Sequence, residues 1–113
     1  AIMPGLPPQP GHFVGTYTYA SPEQIQCQSL DGRTDIYAMG ILLFRMLAGR
    51  RPFTADNTQQ LVDQHLHEIP VSVDQCVDGI PRGVVELIQS MLEKNRDNRP
   101  QTSRQVAEIL RQS

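Results

Sequence analysis

Apolar positions in this 113-residue chain recur at helical spacing, with proline and glycine breaking the runs. The first fourteen residues show no such spacing. Pro4, Pro7, Pro8 and Pro10, with Gly5 and Gly11, exclude regular structure there, and the stretch reads as loop. A short helix is expected after Ser21, with Ser21 as cap and Pro22 in the first helical position. Ser29 to Gly32 reads as a turn. A longer helix is expected from Thr34 or Asp35 to a glycine stop at Gly49. Its apolar residues, Ile36, Met39, Ile41, Leu42, Leu43, Phe44, Met46 and Leu47, wrap most of the circumference. That pattern predicts a helix buried on all sides, at the centre of the core.

Three further helices follow. One is capped at Asp56 or Asn57, shows an apolar face of Leu61, Val62, His65, Leu66 and Ile69, and is stopped by Pro70. Residues 70–80 are irregular. The next enters at Pro81 and turns Val84, Val85, Leu87, Ile88, Met91 and Leu92 inward. The last is capped by Thr102 or Ser103, with Gln105 at capping-box distance from Thr102 and an inner face of Val106, Ile109 and Leu110. No strand pattern and no internal repeat is present, so the expected class is all-α.

Composition narrows the function. Hydrophobic residues at 39% and charged residues at 19% suit one small globular domain rather than a disordered chain. A net charge of −2 supplies no cationic field for nucleic acid. With aromatics at 5% and no Trp, an aliphatic core is expected. Cys27 and Cys76 stand far apart, with no CxxC or Cys/His cluster, so they read as ordinary thiols in a reducing compartment. The longest apolar stretch, Ile36 to Leu47, is broken by Gly40 and Arg45 and is too short to span a bilayer.

Read one by one, most polar residues have plain roles. Ser21-Pro22-Glu23 is an ordinary helix start. Asp35 is a helix-start acid, and Glu23 and Arg99 are surface charges. His65 and His67, two apart, face different ways on a helix, cannot share a metal, and read as surface or half-buried. Arg50-Arg51 reads as a solvated turn, and no phosphate-binding glycine loop exists. Mid-helix Gly40 implies a close approach of another backbone, since glycine there costs about 0.5–1 kcal/mol relative to alanine.

Order and spacing change that reading. Gly15-Thr16-Tyr17-Thr18-Tyr19-Ala20-Ser21-Pro22-Glu23, then Asp35 to Phe44 with Gly40, then Gly49-Arg50-Arg51-Pro52-Phe53, and finally Arg99-Pro100, follow one another along residues 13–113. Together they resemble the back half of the large lobe of a eukaryotic-type serine/threonine protein kinase, with details closest to bacterial members. Ser21-Pro22-Glu23 stands where the family has its A-P-E element. The resemblance implies the helical C-lobe portion of the kinase fold over 15–113. An irregular activation-segment remnant over 1–14 would precede it.

The resemblance also implies roles. Gly15, Thr16 and Tyr19 would belong to the P+1 substrate loop, Phe13 to Ala20. Asp35 would accept backbone hydrogen bonds from the catalytic loop, and Glu23 and Arg99 would form a buried pair that pins the activation segment. No catalytic residue and no metal ligand is assigned. The Gly-rich loop, the strand lysine, H-R-D-x-x-x-x-N and D-F-G, which in the family precede the Gly-Thr element, do not occur in the sequence. The expectation is a segment of an enzyme that transfers the ATP γ-phosphate to protein Ser/Thr, inactive alone. ATP and Mg²⁺ would serve the full-length parent, with no cofactor in this segment. Expected partners are a Ser/Thr protein substrate and the rest of the kinase domain, with neither nucleic acid nor a membrane segment, in the cytoplasm. A non-catalytic helical interaction module, or a pseudokinase-like fragment, is the alternative. Without upstream helices the Ile36–Leu47 helix would face water, so a marginal, self-associating fold is expected. Thr18 is the preferred phosphate acceptor over Thr16 and Ser21.

Overall fold

The computed structural model describes residues 17–113, and among them no strand occurs. The helices are α1 (Pro22–Ile25), α2 (Gly32–Ala48), α3 (Thr58–His67), α4 (Arg82–Met91) and α5 (Ser103–Gln112). Two 3₁₀ turns, Val73–Gln75 and Arg96–Asn98, lie between them.

Local chemistry explains the helix starts. Ser21 and Gln24 form a reciprocal capping box: Gln24 N donates to Ser21 Oγ at 3.3 Å, and Ser21 N donates to Gln24 Oε1 at 2.9 Å. Asn57 caps α3 by accepting from Gln60 N at 2.8 Å. Thr102 caps α5 by accepting from Gln105 N at 3.2 Å. The Gln105 side chain does not close the expected box with Thr102. It reaches one residue further back and accepts from Gln101 N at 2.6 Å.

Helix α2 starts earlier than its apolar pattern implies. Asp31 is its cap, accepting from Arg33 N at 2.9 Å, so Asp35 stands within the first turn rather than at the cap. Gly49 ends α2 with φ of +73°, a left-handed stop open to glycine.

The core forms where α2 lies on α4, and α5 packs against α4 as well. Gly40 makes that approach possible. A Cβ at this position would sit 2.8 Å from Met91 Cβ and 3.0 Å from Leu92 Cδ2. One cluster joins Tyr37, Ile41, Phe44, Phe53, Leu61, Val73, Val85, Ile88 and Leu92; a smaller one joins Ile36, Leu87, Met91 and Val106.

Three expectations change. The core is not purely aliphatic, because the few aromatics are concentrated at its centre: Tyr37, Phe44 and Phe53 are its largest buried side chains. Helix α2 is not buried all round, since Leu42, Met46 and Leu47 are 47%, 70% and 37% exposed. On α5 only Val106 is buried; Ile109 and Leu110 are exposed, because α4 covers one narrow stripe.

Candidate functional site

The first turn of α1 presents Glu23 to the interior, and α2 brings Thr34 beside it. Thr34 Oγ1 donates to Glu23 Oε2 at 2.8 Å. Arg99 arrives from the turn after α4. Its Nη1 donates to Glu23 Oε2 at 2.7 Å and its Nη2 to Glu23 Oε1 at 2.8 Å. Both side chains are buried, at 0% and 3% exposure. The remaining Arg99 donors reach the carbonyls of Glu93 at 2.8 Å, Arg33 at 2.9 Å and Lys94 at 3.3 Å. All five guanidinium N–H groups therefore have acceptors. The Tyr37 ring lies 5.0 Å from the guanidinium carbon.

Electrostatics at Glu23 follow from this geometry. Burial pushes its carboxyl up, but the Arg99 hydrogen bonds, its own backbone and the Thr34 hydroxyl together outweigh burial. The pKa ends below the ordinary value of 4.5. Beside the pair, Arg33 holds Asp31 at 2.7 Å, Asp97 at 2.7 Å and Gln101 at 3.1 Å. Hydrogen bonds from Arg33 bring the Asp31 carboxyl down to about 2. Arg33, Thr34 and Asp31 carry no motif signal in the sequence. Their importance depends on partners brought from α1 and from residues near 97.

The remaining candidates are spread out. Asp35 is exposed and makes no side-chain hydrogen bond among the described residues. It lines a shallow groove with Tyr19, Ala38, Met39 and Leu42. Tyr19 is half-buried, and its hydroxyl accepts from Arg45 Nη1 at 3.1 Å. Gly15 and Thr16 lie outside the described residues. Thr18 is 8% exposed and Ser21 is fully buried in its capping box, so neither hydroxyl is open to a modifying enzyme in this arrangement. That runs against the choice of Thr18 as phosphate acceptor. No group of three or more His, Cys, Asp or Glu converges to hold a metal ion among the described residues.

His65 departs most from its sequence reading. It is fully buried, not surface or half-buried. Tyr37 Oη lies 2.7 Å from its Nδ1, and its ring meets Tyr37 and Phe53 edge-on at 5.7 and 5.1 Å. Burial, then the nearby Lys94 cation, lowers its pKa to about 4. Lys94 covers Phe53 at 4.3 Å from the ring centre and donates to Gln64 O at 3.0 Å. Burial brings this lysine down to about 8.

Comparison with known proteins gives this arrangement a family. The protein kinase domain family matches residues 6–112. The chain is 35% identical over 104 residues to the serine/threonine-protein kinase pkn2 of Myxococcus xanthus, covering 90% of this chain and 12% of that protein. It is 35% identical over 104 residues to the serine/threonine-protein kinase PknB of Mycobacterium leprae, covering 91% and 17%. In shape it matches the twitchin kinase region of C. elegans with a TM-score of 0.75 at 23% identity, over 86% of this chain and 17% of that one. The chain belongs to the protein kinase domain family, and its fold is a helical portion of the kinase fold. It spans between about a tenth and a fifth of the length of these relatives.

Proposed function

We propose that this chain is the C-terminal part of the large lobe of a serine/threonine protein kinase, an enzyme that moves the ATP γ-phosphate to Ser or Thr of a protein. The observation that carries the reading is the buried two-point pairing of Glu23 with Arg99. It fastens the Ser21-Pro22-Glu23 turn to the helical core, beside which the P+1 loop, Phe13 to Ala20, would receive substrate. Asp35, exposed and unengaged beside Tyr19, is free to accept backbone N–H groups from a catalytic loop.

ATP and Mg²⁺ would supply the phosphoryl group and its charge neutralisation in the full kinase domain. The described residues fit neither: no three or more His, Cys, Asp or Glu converge on a metal site, and the sequence carries no phosphate-binding glycine loop. The segment by itself is therefore read as inactive, with positioning as its contribution. The cytoplasm is the proposed location.

The exposed apolar side of α2 favours a second reading, a helical module that binds another protein and catalyses nothing. Expression of the gene's whole reading frame with labelled ATP and a Ser/Thr-rich protein separates the two. Transfer that falls at least tenfold with Asp35→Ala supports the kinase reading. Absence of transfer in the unaltered protein leaves the interaction module.

A further inference from the structure

Arg45 plays no part in the reading above, although it touches the proposed substrate surface. It stands exposed on α2, and its Nη1 donates to the Tyr19 hydroxyl at 3.1 Å. That is its sole side-chain hydrogen bond among the described residues, so the Nε–Nη2 edge of the guanidinium is open. Arg33, Arg82, Arg96, Arg99 and Arg111 each have a carboxylate within 4.0 Å. Arg45, Arg50 and Arg51 have none among the described residues. From Ile36 to Ala55 the chain carries these three cations and no acid, against a net charge of −2 overall. The end of α2 is therefore a positive patch on a slightly acidic chain.

Place separates Arg45 from a merely solvated arginine. Tyr19 packs on the core cluster and, with Asp35, Ala38, Met39 and Leu42, lines the groove along α2. Arg45 follows one turn of α2 beyond Leu42. The Tyr19 hydroxyl holds the guanidinium beside the segment that the kinase reading gives to substrate. That anchoring reduces the rotamer freedom lost when a ligand binds. Asp35 and Arg45 are ten residues apart on α2. The separation is about 15 Å, the length of about five residues of extended peptide.

We propose that Arg45 is a specificity-determining residue of the substrate surface, selecting protein substrates with an anionic side chain within about five residues of the acceptor Ser or Thr. The inference rests on the kinase reading and deepens it, by naming a chemical class of substrate. A carboxylate or a phosphate can take two parallel hydrogen bonds from the open guanidinium edge. A substrate lysine at the same place meets Arg45 with Arg50 and Arg51 behind it, and no acid from Ile36 to Ala55 offsets them. An exposed ion pair is individually weak. Discrimination is nevertheless large, because exchanging an anion for a cation replaces attraction with repulsion.

The product of the gene's whole reading frame, given labelled ATP and threonine peptides, tests this. Each of about five positions on either side of the threonine carries Glu, phosphoserine, Gln or Lys in turn. At one position kcat/KM for Glu is expected to exceed that for Lys by about tenfold, and the ratio should shrink as salt is raised. Arg45→Gln is expected to bring that ratio to within about twofold of unity, and Arg45→Glu to invert it. A ratio taken within one enzyme does not move when a variant is merely less stable. Selection of both Glu and phosphoserine supports the proposal with a carboxylate as sufficient ligand; selection of phosphoserine alone supports it with phosphate as the ligand. Should both Arg45 variants fail to fold, Tyr19→Phe, which removes the anchoring hydroxyl, is expected to lower the ratio at least twofold, and an unmoved ratio overturns the proposal. A preference that survives Arg45→Gln and disappears in Arg50→Gln with Arg51→Gln also overturns it. Phosphorylation of peptides with no anionic preference removes the inference and leaves the kinase reading standing. Transfer to no peptide and no protein removes both.

Discussion

Glu23 and Arg99, 76 positions apart in sequence, are joined by two parallel charge-assisted hydrogen bonds of 2.8 and 2.7 Å inside the fold. Both charges are almost wholly withdrawn from water. Arg99→Ala would strand a buried carboxylate with only Thr34 and backbone as partners. It is expected to lower stability by about 3–5 kcal/mol in urea titration. Arg99→Lys is expected to recover only part of the loss, because an ammonium has three donors for five acceptors.

Acid should act through two groups in separate windows. His65 binds its proton near pH 4 when folded and near 6.5 when unfolded. The unfolded chain therefore holds more protons between those values. Stability is full above pH 6.5 and is lost as pH falls toward 4, by up to about 1.4 kcal/mol per pH unit and about 3 kcal/mol in total. Glu23 has a lowered folded pKa, so its contribution is present above its unfolded value of 4.5 and disappears as pH falls through the folded one. Urea midpoints at pH 7, 5.5, 4 and 3 should show both. A folded His65→Phe protein should be flat between pH 6.5 and 5.

Gly40→Ala tests the close crossing of α2 and α4. Alanine gains roughly 1 kcal/mol of helix propensity. Its methyl, however, would meet Met91 Cβ at 2.8 Å, an atom fixed to the backbone. The helices must part, and a net loss of about 1–2 kcal/mol in thermal or urea unfolding is expected.

Cys27 carries a φ of +56° at the exposed exit of α1, a conformation that strains any side chain with a Cβ. Cys27→Gly is expected to raise stability by about 0.5–1 kcal/mol, read as a higher urea midpoint.

Leu42 and Met46 present an apolar surface, at 47% and 70% exposure. Sedimentation of the isolated chain is expected to show concentration-dependent association. Met46→Lys with Leu42→Gln should abolish it while leaving the unfolding midpoint within about 0.5 kcal/mol of its starting value.

Local chemistry was readable before the structure. The caps at Ser21, Asn57 and Thr102 depend on residues three positions away, so sequence reasoning reached them. The apolar face of α4 is equally plain: Val85, Leu87, Ile88, Met91 and Leu92 are buried, and Val84, also expected inside, is half-buried. The misreadings involve distance. Asp31, the cap of α2, falls within the Ser29 to Gly32 stretch that reads as a turn, and the Arg33 clamp that secures it reaches Asp97. Periodicity marked α2 as apolar but could not say which side the described residues cover. His65 looked like half of a polar His-x-His pair. Its burial is set by Tyr37, 28 positions earlier, and by Phe53.

The long separation of Glu23 from Arg99 also bears on how the chain is born. A ribosome makes Glu23 and the long helix before their partners Met91, Leu92 and Arg99, so the carboxylate is bare and the helix uncovered until those residues follow. No early intermediate can lock the Ser21-Pro22-Glu23 turn. These contacts can close only after Arg99 has been made, and until then the nascent apolar helix is a natural client for chaperones.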